Sequence, residues 1–172
     1  MPAAAHLIRR FLGSLRPGGP GAVETVWAED QLLPGEVELW RRMTGADRRH
    51  AAGVARRVER QLGHRATRPV LAAALLHDVG KTVSHLGTYG RVVATLSAKV
   101  AGHDHAAAWS ETQGFTRRVG LYLEHPRLGG DLLELAGSEP LTSTWAREHH
   151  LPAEQWTIPT DIGAALKDAD DD

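Results

Sequence analysis

Ten histidines and no cysteine in 172 residues limit the chemistry open to this chain. Without a thiol there is no disulfide framework and no thiolate metal site. Any bound metal must be held by imidazole and carboxylate. One stretch concentrates that possibility: Val70–Lys81, VLAAALLHDVGK, in which the apolar run Val70–Leu76 meets His77 and Asp78. A segment apolar all round is a buried helix, and Thr67-Arg68-Pro69 is a start signal because proline is tolerated in a first helical turn. His77 and Asp78 therefore sit at the C-terminal end of a core helix. A buried charge left unpaired costs several kcal/mol, and a carboxylate is opposed there by the negative end of the helix dipole. Both facts ask for a cation nearby, and a divalent ion is the candidate. Taken alone, a His-Asp pair is more often a hydrogen-bonded pair in a core.

The surrounding elements decide how many further ligands could converge. Polar and apolar residues seldom alternate at strand period, whereas helical spacing recurs. Short helices are expected at Val23–Gln31 and Gly35–Met43, with Trp27 and Trp40 as core residues. In Asp47–Leu62 the stripe Ala51, Val54, Ala55, Val58 and Leu62 faces inward and His50 shares it, while the arginines face solvent. Gly63–Pro69 is a loop, and Thr88–Val100 and Glu111–Glu124 are expected helices. His103-Asp104 is a decoy, because it follows glycine and not a buried run. His125 opens a helix, Pro126–Ala136, whose Leu128, Gly129, Leu132 and Leu133 share its face, and the two glycines at 129 and 130 would admit a close neighbour. Ser138-Glu139-Pro140 starts a helix with Leu141, Trp145 and His149 at steps of four and His150 alongside. A last helix begins at Thr157–Pro159 and spaces Ile162, Leu166 and Asp170 by four, with Asp168 as the fallback for Asp170. The expectation is an all-α domain.

Composition excludes several classes. At this length one domain can bury a sizeable core. Lys plus Arg (20) nearly balances Asp plus Glu (21), so no basic field points to nucleic acid. No apolar run reaches membrane-spanning length, and no secretory signal opens the chain, so a cytoplasmic location is expected. Residues 1–22 form a separate N-terminal segment: a basic amphipathic helix over 3–16, then the breaker Arg16–Gly21. Such a helix can lie on a membrane but more often docks on its own domain. Residues 23–172 carry the metal-binding helical domain.

Singly, each of His50, His77, Asp78, His125, His149 and Asp170 is more often a satisfied core residue than a ligand. Six on apolar faces of one small domain are harder to explain that way, since such groups are seldom wholly buried. A nitrogen-and-oxygen site gathered from several helices suits Mn, Fe or Mg, with Zn possible. The order His…His-Asp…Asp, with the middle pair inside HDVGK, resembles the HD superfamily of metal-dependent phosphohydrolases from about Asp47 onward. His125, in EHPRLGGDLLELAG, and His149-His150, in AREHH, resemble the added ligands of its two-metal branch, which includes the HD-GYP cyclic-dinucleotide phosphodiesterases. The resemblance implies a single compact bundle of about seven to nine helices. It also implies one metal on His50, His77, Asp78 and Asp170, and a second on His125, His149 and His150 with Asp78 as the bridge. The GYP stretch itself is absent, since LPAEQWTIP follows His150. Ala46 stands where some relatives place a glutamate for a third metal, and the stretch from His85 to His125 is longer than theirs.

The activity so implied is hydrolysis of a phosphoester in a small phosphorylated substrate, a nucleotide among the candidates. One or two divalent ions would lower the pKa of water and polarise phosphoryl oxygens. Asp78 would anchor the ions and orient the water. Lys81, one turn on, would offset charge on a phosphoryl oxygen; the alternative for it is a lysine complementing a helix end. A catalytically silent module that binds metal or nucleotide, and a purely structural domain whose histidines satisfy one another, are the competing readings. The sequence carries no sign of oligomeric state. The final turn, with Asp168, Asp170, Asp171 and Asp172 at the negative end of a dipole and Lys167 as the nearby cation, is expected to fray unless metal orders it.

Overall fold

The computed structural model describes residues 18–87, 90, 94 and 106–171, and among them there are helices and turns but no strand. Among the described residues nine helices of more than one turn follow in order: α1 Ala22–Asp30, α2 Pro34–Arg42, α3 Gly45–Leu62, α4 Arg68–Leu76, α5 Ala106–Ser110, α6 Gly114–Leu123, α7 His125–Leu135, α8 Pro140–Glu148 and α9 Thr160–Asp171. A single helical turn, Lys81–Ser84, lies between α4 and α5. The N-terminal helix over 3–16, nearly all of Thr88–Val100, and the decoy His103-Asp104 lie outside the described residues. None of the helices described is long and apolar enough to cross a membrane.

The centre of the bundle is α4. Every residue from Val70 to Leu76 is buried, as an all-round apolar helix must be. It packs between α3 and α8; α9 lies against α3, and α7 lies against α8. Pro69 stands in its first turn, with Thr67 as the N-cap. The helix ends earlier than the sequence pattern suggests, at Leu76, and His77 is its C-cap. From there the backbone tightens to three-residue steps, with Val79 N–H donating to Leu76 O (3.0 Å) and Lys81 N–H to Asp78 O (3.0 Å).

Gly80 explains where that turn comes to rest. A Cβ at this position would lie 2.0 Å from His125 O and 2.7 Å from Gly129 N. Only glycine lets the two backbones touch. The contact sets the start of α7 directly against the His77-Asp78 turn.

Three sequence expectations change in the fold. Trp40 is fully buried, but Trp27 is only half-buried beneath the Arg56 guanidinium, whose carbon stands 3.5 Å from the ring centroid. The helix expected over Glu111–Glu124 begins only at Gly114, whose φ of +65° turns the chain into it. The last turn of α9 stays helical through Asp171. Two cations serve it: Lys167 Nζ within the helix stands 3.1 Å from Asp171 Oδ1, and Arg57 Nε of α3 donates to Ala169 O at 2.8 Å, an end carbonyl that no residue of α9 could satisfy.

Candidate metal centre

Three histidines share one local device. His77 and His149 are the C-caps of α4 and α8, and His125 follows the C-cap of α6. Helix ends leave carbonyls without intrahelical partners. Each ring turns Nδ1 back to the carbonyl three residues before it: His77 to Ala74 (3.0 Å), His125 to Tyr122 (2.7 Å) and His149 to Ala146 (2.9 Å). A carbonyl can only accept, so Nδ1 carries the hydrogen. In His125 and His149, which burial favours neutral, Nε2 then keeps its lone pair, the tautomer a metal ligand needs. His77 is oriented in the same way, but its Nε2 must give up a proton held by the neighbouring carboxylates before it can ligate.

All three Nε2 atoms are buried and have no hydrogen-bond partner. They surround the carboxylate of Asp78. His77 Nε2 lies 3.5 Å from Asp78 Oδ2, while His125 and His149 Nε2 lie 3.5 and 3.7 Å from Oδ1. These separations are long for N–H···O hydrogen bonds. They suit two ligands of one ion: donors about 2.1 Å from a metal stand about 3.0 Å apart at a right angle and about 3.4 Å apart at the tetrahedral angle. An orphaned buried polar atom calls for an explanation, and three aimed around one carboxylate fit a divalent cation.

The remaining residues fall into two groups about this carboxylate. One donor atom from each of His125, His149 and His150 lies within 4.8 Å of the others, and the same holds for His50, His77 and Asp78. His150 is exposed at the rim, its ring 4.0 Å from that of His149. Asp170, from the far end of α9, brings Oδ1 to 2.8 Å from His50 Nε2 and 3.7 Å from His77 Nε2. Asp168 is exposed and takes no part. The two oxygens of Asp78 thus face different groups. Seven residues drawn from five stretches of sequence could hold two ions with Asp78 between them.

Charge is finely set here. Burial works to lower the His77 pKa, but the carboxylates of Asp78 and Asp170 overcome it and raise it to about 9. Burial also opposes ionisation of Asp78, yet Lys81 and His77 hold its carboxyl well below the usual range. His125 is pushed down to about 4, chiefly by burial, and His149 is lowered for the same reason. Lys81 is raised, because Asp78 outweighs its burial. Its Nζ stands 2.5 Å from Asp78 Oδ2 and pairs with that carboxylate.

Sequence reasoning missed two contributors. Tyr122 supplies the carbonyl that orients His125, and its half-buried ring lies 5.6 Å from that imidazole and 6.0 Å from Lys81 Nζ. Glu148, buried beside His149, accepts from Thr157 N (2.8 Å) and Thr157 Oγ1 (2.6 Å) and so pins the loop after the histidine pair. A histidine placed at a helix end was the available signal for the first. Comparison of the chain with protein-family models, curated proteins and solved structures finds no match.

Proposed function

We propose that this protein is a metal-dependent phosphohydrolase, acting on a phosphoester of a small substrate with nucleotides among the candidates. The observation that carries the reading is the group of three buried Nε2 atoms without a hydrogen-bond partner about Asp78, each ring held from behind by a backbone carbonyl. The order of ligands along the chain, which resembles that of HD-superfamily phosphohydrolases, supports the choice of reaction. So does a largely covered lysine at the centre, a cation suited to a phosphoryl oxygen. A bound divalent ion would supply Lewis acidity, lowering the pKa of water and polarising the phosphoryl group.

The chain's own residues do the rest. Asp78 ties both groups together and accepts from whatever proton or cation faces each oxygen. Carbonyls at Ala74, Tyr122 and Ala146 hold the rings in place. Lys81 supplies fixed positive charge at Oδ2. That same ion pair favours a second reading, a module that binds metal or nucleotide without turnover, since Oδ2 already has a cation.

Metal analysis of protein purified without added metal, followed by a broad phosphoester panel with Mn(II) and Fe(II), separates the readings. Metal with turnover is expected. Stoichiometric metal with no turnover on any ester would favour the binding module, and no bound metal would leave only a structural domain.

A further inference from the structure

We propose that the two halves of the centre load in a fixed order, with His125, His149 and His150 taking the first ion and His50, His77 and Asp170 the second. The inference rests on the reading that the centre binds metal, and not on any reaction. It reverses the order in which the sequence names the sites.

The difference lies in what each half's donors are already doing. In the first half, His125 Nε2 and His149 Nε2 are buried without a hydrogen-bond partner, and their Nδ1 atoms are engaged from behind. These lone pairs are directed and have nothing to give up. Donors held in the bound geometry bind more tightly because little ordering remains to be done. His150 completes the group from the exposed rim, where an ion can arrive.

In the second half His77 Nε2 is as unpartnered as the rings of the first, but His50, Asp170 and Asp78 Oδ2 are already engaged. His50 Nε2 is 2.8 Å from Asp170 Oδ1. The contact occupies both the nitrogen and the oxygen a metal would need, so it must break before an ion can take either. Lys81 Nζ holds Asp78 Oδ2 at 2.5 Å, within a site where its side chain is 14% exposed and that of Asp78 5%. An ion entering between His77 and Oδ2 must displace this ammonium or share the oxygen with it. Asp78 Oδ1, the oxygen facing the first half, has no such partner at hydrogen-bond distance, since His125 and His149 stand 3.5 and 3.7 Å away. Lys81 is therefore an internal competitor for the second site, built into the turn that carries Asp78.

Mn(II) alone is the probe, with bound metal counted by anaerobic equilibrium dialysis against the full chain. Wild type should show two unequal classes. His150→Ala should abolish the tighter class, and His50→Ala should keep it while removing the weaker one. Lys81→Met should strengthen the weaker class by about tenfold or more, the scale on which groups behind a ligand tune metal affinity, and should change the tighter class less. The proposal is overturned if His50→Ala removes the tight class and His150→Ala spares it, if wild type shows two equal classes, or if Lys81→Met leaves the weaker class where it was. Should Lys81→Met fail to fold, the two histidine variants, at exposed and half-buried positions, decide the order by themselves. If only one equivalent binds, its loss in His150→Ala supports the order and its loss in His50→Ala overturns it. Two classes in this order without turnover on any ester would remove the phosphohydrolase reading and leave the loading order standing.

Discussion

Asp78→Ala is the most telling single change, because this carboxylate has a separate job with and without metal. In the metal-free protein it sits at 4% exposure among Lys81 and three imidazoles. Removing it strands a buried ammonium at Lys81, and breaking a buried pair from one side typically costs about 3–5 kcal/mol. That is a large share of the roughly 5–15 kcal/mol that stabilises a typical domain. The variant should still be helical, since the apolar core around α4 is untouched, but its denaturation midpoint should fall well below wild type. Adding Lys81→Met to Asp78→Ala removes the stranded charge and should return part of the loss, a non-additivity that a double-mutant cycle reads directly. The same variant should retain almost no metal, because each group of histidines loses the oxygen it faces. Urea melts of the metal-free proteins and metal analysis of the loaded ones measure the two effects independently. Metal content equal to wild type would refute the assignment of the centre. A loss under about 1 kcal/mol with no coupling to Lys81 would refute the ion pair.

Three further outcomes are expected. Gly80→Ala would drive a Cβ to 2.0 Å from His125 O; overpacking of this kind costs about 1–3 kcal/mol or more and moves His125 off Asp78, so both the melting temperature and metal affinity should drop, and a variant with neither changed would show that the two backbones do not meet. Stability of the metal-free protein should peak near pH 6.5. The raised His77 pKa, about 9 against an ordinary 6.5, contributes stability that is full below 6.5 and is lost as pH rises through 9, while the depressed His125, near 4, makes stability fall as pH drops from 6.5 toward 4. The alkaline limb is on the order of 3 kcal/mol at most, the acid limb also draws on the lowered His149 and His150, and urea melts that are flat across pH 6.5–9 would contradict the first. Arg57→Met should remove the donor to Ala169 O and raise amide hydrogen exchange in the last turn of α9, at a cost of about 1 kcal/mol; unchanged exchange there would mean that the helix end needs no outside cation.

Much of this protein is legible in its sequence because burial there follows a period. The run Val70–Leu76 marks the central helix, since no other arrangement hides seven apolar residues in a row so simply. Steps of four put Trp145 and His149, and Leu166 and Asp170, on common inward faces, and all four are buried. Charge balance and the lack of cysteine narrow the ligand chemistry before any coordinate is known. What the chain order cannot carry is distance between elements. That Gly80 meets His125 and Gly129, that Arg57 of α3 serves the end of α9, and that Lys81 turns onto Asp78 instead of outward are contacts between surfaces far apart in sequence or set by a local tightening of the backbone. The protonation of the rings belongs to the same class. Periodicity can place a histidine on a face, but only the carbonyl behind Nδ1 and the carboxylates before Nε2 decide how the ring is protonated. Hydrophobic patterning is a property of the chain; the charge state of a buried site is a property of what the folded chain brings within a few ångströms of it.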